Sequence, residues 1–208
     1  MNLETFKKLL VIGILRGINL EIVEQLMETI IASGLKTVEL TMNTRGAEQV
    51  IRRMVSVSAG RLFVGAGTVL SMDSLHSALD SGAAFIVMPV MVADVVEYCL
   101  INKIPVFPGA LTPQEIYNAW SAGATMVKVF PAKLFGPAYF KEVKAPLSDI
   151  KLLACGGVNP DTVNDYFACG ASAVAFGASI FRKDLLLSKQ FGVIKQEIQA
   201  LISKIQDR

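Results

Sequence analysis

The sequence predicts an α/β fold, specifically a (β/α)8 TIM barrel, on three observations. Short apolar, β-favouring runs alternate with helix-like segments, and the repeat of roughly two to three dozen residues is the size of a βα unit. Eight such runs fall within the 208 residues, which fits one barrel domain spanning residues 1–208. The third observation is negative. An open doubly wound sheet, the runner-up, would carry GxGxxG after its first strand, and Arg16-Gly17-Ile18-Asn19 does not match it.

Strand one is expected at Leu10 to Leu15, followed by a helix over Leu20 to Ser33 with Asn19 as N-cap and Gly34 as its stop. Strand two is Thr37 to Thr41, with a helix over Ala47 to Val57. Strand three is Leu62 to Gly65, after which Ser71 caps a helix ending near Gly82. Strand four, Ala84 to Met88, is stopped by Pro89, and its helix covers Val92 to Asn102. Strand five is Pro105 to Phe107. Thr112-Pro113-Gln114-Glu115 then reads as a cap, a first-turn proline and an acidic first turn. Strand six is Met126 to Phe130, stopped by Pro131, with a longer loop and a helix over Tyr139 to Lys144. Strands seven and eight are Lys151 to Ala154 and Ala173 to Phe176, and one long amphipathic helix, Leu185 to Ile205, closes the series.

Composition removes several classes. A 52% hydrophobic and 18% charged chain suits strands covered on both sides. The net charge of +2 is small and scattered, without a basic stripe, so nucleic acid is not an expected partner. Cys99, Cys155 and Cys169 are odd in number and lie in apolar segments, as in a reduced cytoplasmic protein. Lys7-Lys8 precede an apolar run, Leu9 to Leu15, but Arg16 closes it without a cleavage site, so no signal peptide is expected. No apolar stretch is long enough to span a bilayer. With His76 as its single histidine, placed on a helix surface, the chain cannot build a multi-histidine metal site.

Barrel active sites form at the C-terminal ends of the strands. Strand six carries Lys128 inside an apolar β run, where a buried ammonium is costly and a free amine can attack a carbonyl. Strand two carries Glu39 between Val38 and Leu40, on one face with Thr37 and Thr41. The pair reads as a nucleophile with a proton-shuttling carboxylate, or alternatively as a structural buried ion pair. Strand seven leads into Cys155-Gly156-Gly157 and strand eight into Gly177-Ala178-Ser179. These are the loops with which barrels often hold phosphate, glycines admitting backbone N–H groups and Ser179 adding a hydroxyl donor. Tight βα turns alone would also explain those glycines. Arg16 could fork onto a substrate carboxylate with Thr68 as hydroxyl donor, or could be a surface charge. Lys133, beyond Pro131, reads as a solvated loop lysine, and Cys155 as a small packing residue.

Four segments in order resemble one known family: Gly65-Ala66-Gly67-Thr68-Val69-Leu70, Pro108-Gly109-Ala110-Leu111-Thr112-Pro113-Gln114-Glu115, Val127-Lys128-Val129-Phe130-Pro131-Ala132 and Gly156-Gly157-Val158. Together they are similar to the 2-keto-3-deoxy-6-phosphogluconate (KDPG) / 4-hydroxy-2-oxoglutarate (KHG) aldolases. The resemblance implies a class I aldolase barrel, usually a homotrimer, needing no metal and no cofactor. It implies a phosphorylated 2-keto-3-deoxy sugar acid as substrate, Lys128 as Schiff-base lysine and Glu39 as general acid/base. It also places Thr68, Pro89 and Phe130 in the pyruvate pocket and Gly156, Gly157, Gly177, Ala178 and Ser179 around the phosphate. Asn43 stands where many phosphogluconate-type members have arginine. Leu15-Arg16-Gly17-Ile18 and Phe135-Gly136-Pro137 are instead similar to the 2-dehydro-3-deoxy-6-phosphogalactonate branch, with Arg16 able to supply the missing charge. A phosphosugar isomerase or epimerase, or a non-catalytic phosphate-ligand barrel, remains open beside the aldolase.

Overall fold

The structure, a computed structural model, describes residues 11–206. The expected start of strand one at Leu10, and the segment from Lys7 to Leu9, lie outside them. Nine parallel strands form one sheet: β1 Val11–Leu15, β2 Thr37–Thr41, β3 Phe63–Gly67, β4 Ile86–Val87, β5 Val106–Phe107, β6 Gly109–Ala110, β7 Val127–Val129, β8 Leu152–Cys155 and β9 Ala173–Phe176. Their order is β5-β4-β3-β2-β1-β9-β8-β7-β6. The two edges, β5 and β6, are consecutive pieces of one segment, separated only by Pro108. The sheet therefore closes on itself with eight strand positions, the (β/α)8 TIM barrel.

Proline explains the split. Pro108 has no N–H for the ladder, yet its carbonyl accepts from the Lys128 N–H at 2.9 Å. Strand five is thus longer than its sequence signal, continuing past the proline into β6. β3 likewise runs to Gly67 rather than Gly65, and β4 is shorter than expected. Nine helices are described: α1 Leu20–Ala32, α2 Ala47–Ser58, α3 Met72–Asp80, α4 Ala93–Ile101, α5 Pro113–Ser121, α6 Pro137–Lys144, α7 Val163–Ala168, α8 Lys183–Leu187 and α9 Phe191–Gln206. Ser71 caps α3 by accepting from the Ser74 N–H, and Thr112 with Glu115 forms a reciprocal capping box on α5. Asn19 holds the N-cap position of α1, but without a side-chain cap bond.

The single helix expected over Leu185 to Ile205 is instead α8 and α9. Lys189 between them adopts a left-handed φ of 54°, and the Ser188 hydroxyl donates to the Asp184 carbonyl at 2.7 Å. That break lets Leu185 and Leu186 on one side and Phe191 and Ile194 on the other all be buried. α7 had no clear sequence signal, being only 6 residues long.

Period-two alternation sorts the strand side chains into two layers. Val38, Leu40, Val64, Ala66, Val127 and Val129 face outward into the core shared with the helices. Ile12, Phe85, Phe107, Met126, Leu153 and Ala175 fill the barrel interior. Gly65 is required there, because a Cβ on it would lie 2.4 Å from the Phe85 ring. The Phe85 and Phe107 rings then meet edge to face, with centroids 6.0 Å apart.

Candidate active site

Glu39 and Lys128 lie on the interior faces of β2 and β7. The alternation that puts Val127 and Val129 in the outer core turns Lys128 inward, one interior position above Met126. Glu39 is 1% exposed and Lys128 6%. Room for the carboxyl comes from Gly67, where a Cβ would stand 2.5 Å from Glu39 Oε1. Burial pushes the Glu39 carboxyl above its ordinary range, while the charges of Lys128 and Arg16 pull it back down without cancelling the rise. The structural ion pair is not what forms. Among the described residues the ion pairs are Arg53–Glu24, Arg61–Glu28 and Arg182–Glu197, all away from this centre. Lys128 and Glu39 therefore feel each other's charge without forming an ion pair.

Phe130 covers the lysine, its ring centroid 5.4 Å from Nζ. The Phe130–Pro131 bond is cis. Phe130 and the interior Cys155 also wall a cavity of about 620 Å³, together with Arg16, Lys133, Gly156, Gly157, Gly177, Ala178 and Ser179; Glu39 and Lys128 are not themselves in its lining. Phe130 also borders a second depression, of about 330 Å³, which contains Pro89. The structure thus gathers Arg16, Phe130 and the glycine loops around one cavity and sets Pro89 in a neighbouring one that shares only Phe130 with it, while Thr68 lines neither. Gly109 allows that arrangement, since a Cβ there would lie 2.1 Å from the Pro89 carbonyl oxygen.

Arg16 is exposed and is held by its backbone. The Gly17 N–H donates to Thr44 Oγ1 at 3.0 Å, and Thr44 Oγ1 lies 3.2 Å from Thr41 Oγ1. The loop after β1 is thereby fastened to the turn after β2, beside the exposed Asn43. Thr68, just past β3, has φ 58°, a genuine outlier for a β-branched residue and of a kind that clusters at functional sites.

The glycine loops present donors. Among the described residues the N–H groups of Gly156, Gly157, Ala178 and Ser179 have no protein acceptor. Ser179 departs from expectation, because its hydroxyl donates to the Val158 carbonyl at 2.6 Å and so fastens the two loops together.

Two residues were missed. Cys155 does pack in the interior, yet it also faces the cavity, and burial raises its thiol despite the nearby Lys128. Continuing the inward alternation from Leu153 would have found it. Lys133 is exposed, as expected, but at the cavity wall. His76 is an exposed residue whose ring meets Tyr98 edge-on at 5.2 Å.

By fold and by the placing of a buried lysine and carboxylate under a mouth of N–H donors, the molecule has the build of a (β/α)8 barrel enzyme. The family model "KDPG and KHG aldolase" matches residues 3–197, and the chain belongs to that aldolase family. It is an aldehyde-lyase. It is 34% identical over 176 residues to the 2-dehydro-3-deoxy-6-phosphogalactonate aldolase of Escherichia coli K12, covering 84% of this chain and 86% of that one. It is also 34% identical over 142 residues to the 2-dehydro-3-deoxy-phosphogluconate aldolase of Pseudomonas aeruginosa, covering 68% and 64%. A native KDPGal structure superposes with a TM-score of 0.89 at 30% identity, covering 96% of each chain.

Proposed function

We propose that this aldolase cleaves a 2-keto-3-deoxy-6-phospho sugar acid to pyruvate and an aldehyde such as glyceraldehyde 3-phosphate, with Lys128 as nucleophile and Glu39 as acid/base. The observation that carries the reading is the pair itself: two buried ionisable groups on inward strand faces, coupled in charge but not bonded, in a barrel whose Phe130 and Cys155 also wall a cavity edged by N–H groups without protein acceptors. The amine of Lys128 adds to the C2 carbonyl, and uptake of one proton by the carbinolamine hydroxyl lets it leave as water, giving the protonated imine; the proton is given back when the imine is hydrolysed. Glu39 takes the C4 hydroxyl proton as the C3–C4 bond breaks, and the electron pair of that bond is drawn into the imine to give an enamine. The aldehyde leaves, Glu39 returns its proton to C3, and water hydrolyses the imine to release pyruvate.

Arg16, with Thr68, holds the pyruvate carboxylate, Phe130 and Pro89 wall the pyruvate pocket, and the loops at Gly156–Gly157 and Gly177–Ser179 take the phosphate. A second reading for the substrate is the galactonate epimer, favoured by the fastening of Arg16 beside Asn43 and by the 84% span of the galactonate relative. The sequence resemblance further supports a single-domain, cytoplasmic homotrimer that uses neither metal nor cofactor.

Reduction of the protein with borohydride in the presence of pyruvate tests the reading. Mass spectrometry is expected to find one pyruvate-sized adduct, on Lys128, and none in Lys128→Met. No adduct, or one on another lysine, overturns it.

A further inference from the structure

The phosphate end of the proposed substrate carries close to two negative charges, and the glycine loops offer it only uncharged N–H groups. The one hydroxyl of those loops is already donating, from Ser179 to the Val158 carbonyl at 2.6 Å. A formal positive charge at that end has to come from outside the loops. Lys133 is placed to bring it. It sits in the short 3-10 turn Ala132–Leu134 that follows Pro131, and it shares the cavity wall with Gly156, Gly157 and Ser179.

The turn lies directly on the glycine loop. A Cβ on Gly157 would stand 2.7 Å from Lys133 Cβ, and one on Gly156 would lie 3.5 Å from the Ala132 nitrogen. Only glycine at residue 157, which also has φ 83°, lets the stem of Lys133 approach so closely. Among the described residues Lys133 makes no ion pair or hydrogen bond, so its ammonium is not committed elsewhere. The remaining cation of this wall, Arg16, follows the C-terminal end of β1 and is assigned above to the carboxylate of the substrate.

Building on the function proposed above, we infer that Lys133 is a specificity residue that selects substrates with a terminal phosphate dianion over their unphosphorylated counterparts. It binds the phosphate alike in ground state and transition state, so its effect falls on KM and not on kcat.

The experiment compares wild type, Lys133→Gln and Lys133→Arg on 2-dehydro-3-deoxy-6-phosphogluconate and its galactonate epimer, each beside the unphosphorylated sugar acid. For Lys133→Gln, KM for the phosphorylated substrate is expected to rise roughly tenfold, with kcat within about threefold, as for loss of one partly screened charged contact. Turnover of the unphosphorylated acid is expected to hold within about threefold, and Lys133→Arg to restore most of the loss. Inorganic phosphate, as a competitive inhibitor, should weaken by a similar factor against Lys133→Gln. Equal losses on both substrate types, or an unchanged KM and unchanged phosphate inhibition, overturn the inference. Borohydride trapping of pyruvate on Lys128 is run on every variant. Its failure in wild type would sink the aldolase mechanism, whereas normal trapping with an unchanged KM would sink the role of Lys133 alone.

Discussion

The floor and the rim of the barrel mouth differ in how their charges are held. At the floor Glu39 and Lys128 are almost fully buried on rigid strands, with Gly67 carved away to admit the carboxyl. At the rim Arg16, Gly157, Ala178 and Lys133 are all exposed, and order comes from backbone fastenings such as Gly17 to Thr44 and Ser179 to Val158. In a dry site a misplaced or uncompensated charge acts at nearly full strength, while at a wet rim water and salt screen it. The floor is therefore suited to chemistry, which needs strong fields and fixed geometry, and the rim to recognition, which must form and release with each turnover.

Glu39→Gln breaks the comparison hardest, since it removes a proton carrier without changing shape. Turnover is expected to fall by about 10²–10⁴-fold in steady-state kinetics, while pyruvate trapping on Lys128 changes much less. Stability moves the other way. Because the folded carboxyl titrates above its ordinary value near 4.5, the folded state keeps this proton where the unfolded chain has released it. The associated stability is complete below that ordinary value and is lost as pH rises through the folded one. Glu39→Gln has no such loss, so denaturant melts should show it gaining on wild type between acid pH and neutrality. A stability difference that shifts in favour of wild type with rising pH would contradict the burial of this carboxyl.

Gly67→Ala comes next. Its Cβ would stand 2.5 Å from Glu39 Oε1 and 2.8 Å from Cδ, so the carboxyl or the strand has to shift. Displacement of a catalytic group by about 1 Å can cost on the order of 10²-fold in rate, and overpacking costs about 1–3 kcal/mol of stability. Kinetics and thermal melts on one preparation check both, and a variant as active and stable as wild type would show that the floor is looser than its geometry.

The floor was legible in the sequence and the rim only in part, for the same physical reason. A strand imposes period two, so one glutamate between Val38 and Leu40 and one lysine between Val127 and Val129 are forced onto the inner face once the flanking residues face the helices. Caps such as Thr112 with Glu115 were legible because their partners are three residues apart. Loop contacts have no such period. The approach of Lys133 to Gly157 joins two loops far apart in sequence, and the hydroxyl of Ser179 turns to Val158 because the neighbouring loop happens to present a carbonyl. The break at Lys189 was hidden too, because the left-handed residue is a lysine and the nearest glycine, Gly192, lies inside the following helix.

The smallest expected effect separates the two regions without any mutation. Raising ionic strength from about 0.1 M to about 1 M shortens the screening length from about 10 Å to about 3 Å. Exposed Arg16 and Lys133 then attract an anionic substrate less well, and KM should climb a few-fold. The fields between Glu39 and Lys128 pass through packed protein, where mobile ions do not enter, so kcat should stay nearly constant over the same range. Steady-state kinetics across a salt series, with a neutral-salt pair such as sodium and potassium chloride to expose specific ion effects, reads both parameters at once. A kcat that falls in step with the rise in KM would mean that the floor is open to solvent when substrate is bound, and the division between a dry reacting centre and a wet gripping rim would fail.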